Sequence, residues 1–344
     1  MDFEKVIKEH IERYPMMTPQ DYCKLCYQNE FGPRHMLDNF EIAMDYIDRE
    51  WYSLTGNEPI RSPEYIGNGL CRFYMNKNEY SKKASQLLGE LFYLTAKDHV
   101  GSENGIKDKL DIIKKLPVSG ISDYIAEYKD KGCPTVHHSE IYNELYKPHY
   151  RLLKWVYACY FKTLLEIKKL DKPAVIAIDG RCGSGKTGFA SIIKTVFDCN
   201  VFHIDDYYLP LQKRADNWEQ MPAGNIGLNR FNGEVLIPSK AGEMVNYHPY
   251  NCGTGKYKEA VLFKPKTLTI IEGSYSHHPL LNKSYDLKIF LSCDNEVQKQ
   301  RLFDREGDYY SVFQKRWIPM EELYLSTFQI EKNSDIVVNT SLIF

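Results

Sequence analysis

The chain has no excess of charge of one sign: 44 Lys and Arg stand against 46 Asp and Glu, a formal net charge of −2 over 344 residues. A general basic field that would hold nucleic acid or an anionic membrane is therefore missing. Long apolar runs are missing too. Segments such as Ala174 to Ile178 fall far short of the roughly 20 residues that cross a bilayer. The opening stretch MDFEKVIKEH is charged throughout and carries no apolar signal core. The nine cysteines, an odd number, lie scattered from Cys23 to Cys293 without a framework spacing, the pattern of reduced thiols. A cytoplasmic protein is expected, with no nucleic-acid or membrane partner. Internal repeats and flexible Gly/Ser linkers are also lacking. What remains is an ordinary globular composition, 43% hydrophobic and 26% charged. At about 150 residues per domain, the length suggests roughly two domains.

Residues 1–170 read as a mostly α-helical domain, for which no role is assigned. Phe3, Val6, Ile7 and Ile11 repeat at helical spacing, and the helix should stop before Pro15. Thr18-Pro19-Gln20-Asp21 has the form of a helix start: a capping hydroxyl, a proline pre-set for the first turn, and an acid that suits the dipole. Further helices are expected from Ser81 to Lys97, Lys107 to Leu116 and Ser139 to Leu170, the last broken or kinked at Pro148. The character changes near Asp171, and residues 171–344 read as an α/β domain. Its apolar runs, Ala174 to Ile178, Val201 to Ile204, Leu268 to Ile271, Leu287 to Leu291 and Ile336 to Val338, are those of buried parallel strands.

Directly after the first of these strands comes Gly180-Arg181-Cys182-Gly183-Ser184-Gly185-Lys186-Thr187, which meets G-x-x-x-x-G-K-[ST] at every specified position. Glycines let backbone N–H groups close around phosphate oxygens where a Cβ would obstruct them. The helix expected from Lys186 to Phe197 adds its positive end. Lys186 is placed to bridge the β- and γ-phosphates, and the Thr187 hydroxyl to ligate Mg²⁺.

Ligands of open α/β sheets gather at the carboxyl ends of the strands. Val201 to Ile204 ends in Asp205-Asp206-Tyr207-Tyr208, and Leu268 to Ile271 ends in Glu272-Gly273. One carboxylate could hold Mg²⁺ and another accept a proton from an attacking hydroxyl. Which of Asp205 and Asp206 is the base stays open at this point. Arg301 and Arg305, spaced i, i+4 on one helix face, and Arg316 are candidates for a lid over phosphates.

VIAIDGRCGSGKTGFA, VFHIDDYYLP and IIEGSYSHHPLL together resemble the uridine kinase and phosphoribulokinase family of P-loop kinases. RFNGEVLIPSKAGEMVNYHPYNCGTG is similar to that family's acceptor-site segment, and SDIVVNTS to its last strand. The likeness spans about Pro173 to Thr340. It implies a five-stranded parallel sheet and phosphorylation of a nucleoside-like primary alcohol by ATP with Mg²⁺. By the same resemblance, Asp205 takes the place of the catalytic aspartate near the metal, Glu272 the second metal-linked acid, and Thr187 the hydroxyl ligand. Gly180, Gly183, Ser184, Gly185 and Lys186 take the nucleotide-binding loop, and Arg301 and Arg305 fall in the lid region. Tyr207, Asn225, Arg230 and Tyr250 fall where the family contacts its acceptor. One departure concerns Gly227, where similar proteins often carry an aspartate that helps hold ribose hydroxyls; Asn225 could supply a hydrogen bond instead.

The favoured expectation is thus a small-molecule kinase, whose self-association into a homo-oligomer is open. An acceptor of the sugar or pantothenate type belongs to the same class, since a fold does not fix an acceptor. A nucleotide-dependent regulatory ATPase is a second class, and a binding scaffold with a vestigial loop a third. In the first half, Gln28 to His35 and His137-His138-Ser139-Glu140 contain groups that could line a second site. His35, His137, His138 and His149 fit no ligand spacing, and capping or core hydrogen bonds suit them better. Cys23-Lys24-Leu25-Cys26, a lone CxxC on an expected helix, reads as packed cysteine. His277-His278 sits beside the loop, either to touch an acceptor or to hydrogen-bond locally.

Overall fold

A computed structural model describes residues 3–34, 39–170 and 173–343 of the chain; His35 and Asp171, singled out above, lie outside the described residues. The chain divides into two compact units, Met1–Lys168 and Lys169–Phe344.

In the first unit, Phe3, Val6, Ile7 and His10 form one buried stripe along α1 (Phe3–Arg13). Helix α2 (Pro19–Phe31) begins with a capping interaction, the Thr18 N–H donating to the Asp21 carboxylate at 3.0 Å. There follow α3 (Phe40–Ser53), α4 (Lys82–Asp98), α5 (Glu103–Ile113), α6 (Ile121–Asp130), α7 (Glu140–Tyr146) and α8 (Trp155–Lys169). Ser81, Ser102 and Ser139 cap α4, α5 and α7 with side-chain oxygens. Cys23 and Cys26 are free thiols fully buried on α2.

Two expectations are corrected here. The helix expected from Lys107 to Leu116 starts at Glu103 and ends at Ile113. The one expected from Ser139 to Leu170 is α7 and α8 with a strand between them, β3 (Tyr150–Lys154). This strand closes a three-stranded antiparallel sheet, β1-β2-β3, with β1 (Glu64–Gly67) and β2 (Leu70–Tyr74). The charges of Glu64 and Arg72 concealed the first two strands. Both side chains are buried, paired at 3.3 Å, in the core behind α1 and α2.

In the second unit the five apolar runs are β4 (Ala174–Gly180), β5 (Cys199–His203), β6 (Leu268–Glu272), β7 (Leu287–Ser292) and β8 (Ile336–Asn339). They form one sheet in the order β8-β7-β4-β6-β5, every pairing parallel. Strands β4 and β6 are buried along their whole length, as continuous apolar runs require. Helices α9 (Lys186–Val196), α10 (Asn295–Glu306) and α11 (Ile318–Thr327) flank the sheet, and Phe202, Phe231, Ile271, Phe290 and Tyr324 lie in its core. Register then positions the site. Glu272 stands opposite Ile178 on one side and His203 on the other. The residues after Ile178, the Glu272 carboxylate and the turn after His203 therefore emerge at one edge of the sheet.

Candidate functional site

Strand β4 runs into the glycine-rich loop at Gly180, whose φ is +147°; a Cβ there would stand 2.1 Å from the Leu291 carbonyl oxygen. Gly185 caps α9 in the left-handed region. The loop is anchored from beneath by Asp179, a wholly buried acid. One of its oxygens accepts the Gly180 N–H at 2.7 Å, and the other accepts the Tyr324 hydroxyl at 2.7 Å and the His277 N–H at 2.9 Å. His277 thus belongs to the loop's support, while the His278 ring packs on Tyr324 and Phe328. Lys186 lies back over its own loop, Nζ donating to the carbonyls of Gly180 at 2.6 Å and Arg181 at 3.1 Å. Ser184 is wholly buried beneath, its hydroxyl without a partner among the described residues.

Above the loop opens a cavity of about 660 Å³. Gly183, Gly185, Lys186 and Thr187 form one wall, and Asp205 and Glu272 stand on another. The Thr187 hydroxyl donates to Glu272 Oε1 at 3.2 Å, and the same oxygen meets His203 Nδ1 at 2.5 Å. That bond raises the His203 pKa above the ordinary imidazole value. Asp205 follows β5 in a short 3₁₀ turn, Ile204–Tyr207. It is exposed at the cavity, where its carboxyl group faces the loop wall. Loss of hydration there, with Glu272 and Glu321 nearby and Lys186 and His203 opposing, pushes its pKa up to about 7. Gly273 permits this approach: its φ is +130°, and a Cβ would fall 2.7 Å from Ile204 Cγ2 and 3.5 Å from Asp205 Oδ1. Asp206 is occupied elsewhere, accepting the Tyr247 hydroxyl at 2.6 Å.

Thr187, Asp205 and Glu272 offer only oxygen donors, which suits Mg²⁺, a cation that keeps waters and phosphate oxygens and needs just one or two carboxylates. Among the described residues no group of three His, Cys, Asp or Glu side chains could hold a metal without such help.

Arg301, Arg305 and Arg316 all line the cavity. Arg301 ties the loop to the chain after β8, donating to the Gly183 carbonyl at 3.2 Å and the Thr340 carbonyl at 2.7 Å. Arg305 reaches Glu306 at 2.6 Å and Arg316 reaches Glu219 at 2.9 Å. Two further acids serve the site: Asp179, inside the VIAIDGRCGSGKTGFA stretch just before the loop, and Glu321 on α11, which stands in no motif. The buried Glu321 carboxylate accepts the Cys182 N–H at 2.8 and 3.0 Å and the Ser274 hydroxyl at 2.5 Å. No local pattern marks such a residue, because its partners lie 139 and 47 positions away.

The four acceptor candidates do not line this cavity. Tyr207 is buried, its hydroxyl donating to Glu234 at 3.1 Å. Arg230 lies between the rings of Tyr207 and Tyr257, 4.4 and 4.6 Å from their centroids, and bonds Glu234 and the His248 carbonyl. Tyr250 pairs with Tyr257 across a two-residue ladder. Asn225 is wholly buried with both amide atoms unpartnered among the described residues. Gly227 packs close to the chain, where a Cβ would stand 3.3 Å from the Tyr207 carbonyl. The wall facing the loop is instead built by Tyr208, Arg214, Cys252, Tyr275, Phe313 and Trp317.

No family model matches the chain. Among curated proteins, a uridine kinase from Bacillus cytotoxicus is 29% identical over 147 residues, 40% of this chain and 68% of its own. A uridine kinase from Bacillus mycoides is likewise 29% identical over 147 residues, with the same shares covered. Among solved structures, a possible uridine kinase from Bacillus stearothermophilus aligns over 51% of this chain and 93% of its own, at 22% identity and a TM-score of 0.41. No helix among the described residues is long and apolar enough to cross a membrane. A complete phosphate loop, a parallel sheet that brings two acids beside it, and these curated relatives support a uridine kinase-like P-loop kinase.

Proposed function

We propose that the protein transfers the γ-phosphoryl group of ATP to the hydroxyl of a small molecule, with a nucleoside as the acceptor class. The observation that carries this reading is the placement of Lys186, Thr187, Asp205 and Glu272 around one cavity of about 660 Å³, open above a phosphate loop. The volume suits a nucleotide tail and a small acceptor together.

In this reading the loop amides and the N-terminal end of α9 bind the triphosphate. Lys186 exchanges the Gly180 and Arg181 carbonyls for phosphate oxygens. Thr187 and Glu272 would hold Mg²⁺ beside Asp205, and the ion would neutralise charge on the phosphates. Asp205 takes the proton of the acceptor hydroxyl at its carboxylate oxygen, a task matched to a pKa near neutrality. Arg301 and Arg305 face the developing charge from α10, and Tyr208 and Trp317 give the acceptor a ring surface. The base-like Asp205 and the enclosed acceptor wall favour transfer to an alcohol over a regulatory ATPase.

The test is a panel of nucleosides, sugars and vitamin alcohols incubated with the purified chain, Mg²⁺ and ATP labelled in the γ position. Transfer of label to a nucleoside supports the reading. Label appearing only on a sugar or pantothenate-type alcohol corrects the acceptor, and release as inorganic phosphate alone, whatever the acceptor, overturns it.

A further inference from the structure

The first unit holds a second cavity, of about 240 Å³, between α2, the chain before α7, and β3. Its lining is rich in hydrogen-bond donors: Lys24, Gln28, His137, Asn143, Tyr150 and Arg151. None of its lining residues is Asp or Glu. The half-buried Lys24 ammonium donates to the Val136 carbonyl at 2.9 Å, and among the described residues no carboxylate lies within 4.0 Å of it. An ammonium out of bulk water with one neutral acceptor is poorly compensated. Burial accordingly lowers the Lys24 pKa to about 8.

The wall behind is rigid and directional. Ser139 N–H and Oγ–H, Thr18 and His138 Nδ1 converge on Asp21, whose pKa is held well below the usual range despite burial. An ionised Asp21 fixes the proton of the neutral His138 ring on Nδ1, so Nε2 accepts the Tyr150 hydroxyl at 2.7 Å. Tyr150 in turn accepts from Gln28 Nε2 at 2.9 Å, and the Gln28 carbonyl accepts two bonds from Arg72, at 2.9 and 3.1 Å. Arg72 is wholly buried and shares its carboxylate, Glu64, with Arg13. The two guanidinium groups are balanced by the carboxylates of Glu64 and Asp21, which leaves the Lys24 ammonium as the cation facing the cavity. Tyr27 supplies its ring-bearing surface, with Phe92 buried behind the lining.

We propose that this cavity is a binding site for a small ring-bearing anion, whose negative group pairs with Lys24 and whose ring lies on Tyr27. A volume below that of drug-sized pockets limits the ligand to a small metabolite. The Lys24 ammonium and the absence of acids from the lining select an anion over a neutral or cationic molecule.

The full-length chain is titrated with benzoate, phenyl phosphate and the neutral benzyl alcohol, with binding read by ligand-observed NMR and calorimetry. Expected are saturable binding of at least one anion and at least tenfold weaker binding of benzyl alcohol. Lys24→Met, which keeps the length of the side chain, should weaken the bound anion at least tenfold with an unchanged melting temperature. Tyr27→Leu should weaken it as well, whereas Lys186→Ala should leave benzoate binding as it is. If Lys24→Met proves unstable, Lys24→Arg, which keeps the charge, should retain binding. Equal binding of benzyl alcohol, anion binding indifferent to Lys24, or no binding of either anion at millimolar concentration would overturn the proposal.

Discussion

Replacing Asp205 by asparagine keeps the size of the side chain and its place against Gly273 while removing the charge. With the Asp205 carboxylate as the proton acceptor, the acceptor hydroxyl would lose its base. General base catalysis contributes about 10²- to 10⁴-fold, so kcat should fall by that factor, about 3 to 5 kcal/mol of activation free energy. Affinity for ATP, held mainly by the loop amides and Lys186, should change little. The pH dependence gives a second reading of the same group. With a pKa of about 7 in the free protein, about one-tenth of Asp205 is ionised at pH 6 and about nine-tenths at pH 8. The base works when ionised, so kcat/KM should rise about eightfold to tenfold between these pH values and flatten above them. The assay is initial-rate phosphoryl transfer across pH 5.5 to 9, for both forms of the protein. Loss of the acid limb together with the fall in kcat is expected in Asp205→Asn. A variant that turns over normally, or that keeps the limb, would refute the assignment.

Other consequences concern the loop, the acceptor wall and the first unit. Lys186→Ala should remove most of the ATP affinity while leaving the melting curve nearly unchanged, as measured by nucleotide titration and calorimetry. Trp317→Ala should raise KM for the acceptor with little effect on KM for ATP. The buried His10 and His138 have pKa values lowered to about 4 and about 3, chiefly by loss of hydration. Both are neutral when folded and gain protons more readily when unfolded, so stability should be complete above pH 6.5 and decline as pH falls from 6.5 towards 4. The loss, about 1.4 kcal/mol for each tenfold difference in proton affinity between the folded and unfolded chain, should appear in denaturant unfolding at several pH values. His10→Gln should make that decline shallower. Residues 1–170 expressed alone should fold, by circular dichroism and cooperative melting, without transferring phosphate.

The kinase half was legible because its physics is local. Ala174 to Ile178 reads as a strand buried on both faces, and the loop's glycines, lysine and threonine lie within eight consecutive positions. Asp205 and Glu272 could be placed as well, since each directly ends an apolar run and parallel register carries both to one edge. The acceptor wall was not legible in the same way. Tyr208, Arg214, Cys252 and Trp317 come from separated segments that only the folded chain joins. Tyr207, two positions after Asp205, and Arg230 turn instead into a packed cluster with Glu234 and Tyr257. In the first half, β1 and β2 carry Glu64 and Arg72 inward, so their strands lack the alternation that would have announced them. The chain from Arg72 to Asp21 draws on α2, β2, β3 and the cap of α7, and only its separate pieces, Gln28 and His138, could be noticed beforehand.

The claim on which the rest depends is that the loop after β4 grips a triphosphate between Asp205 and Glu272. A crystal structure of the chain with Mg²⁺ and a non-hydrolysable ATP analogue tests it most directly. The account predicts phosphate oxygens on the amides of the loop, Lys186 turned from its own carbonyls onto them, and the cation beside Thr187 and Glu272. A nucleotide bound elsewhere, or a loop occupied while Asp205 faces away from the terminal phosphate, would contradict it.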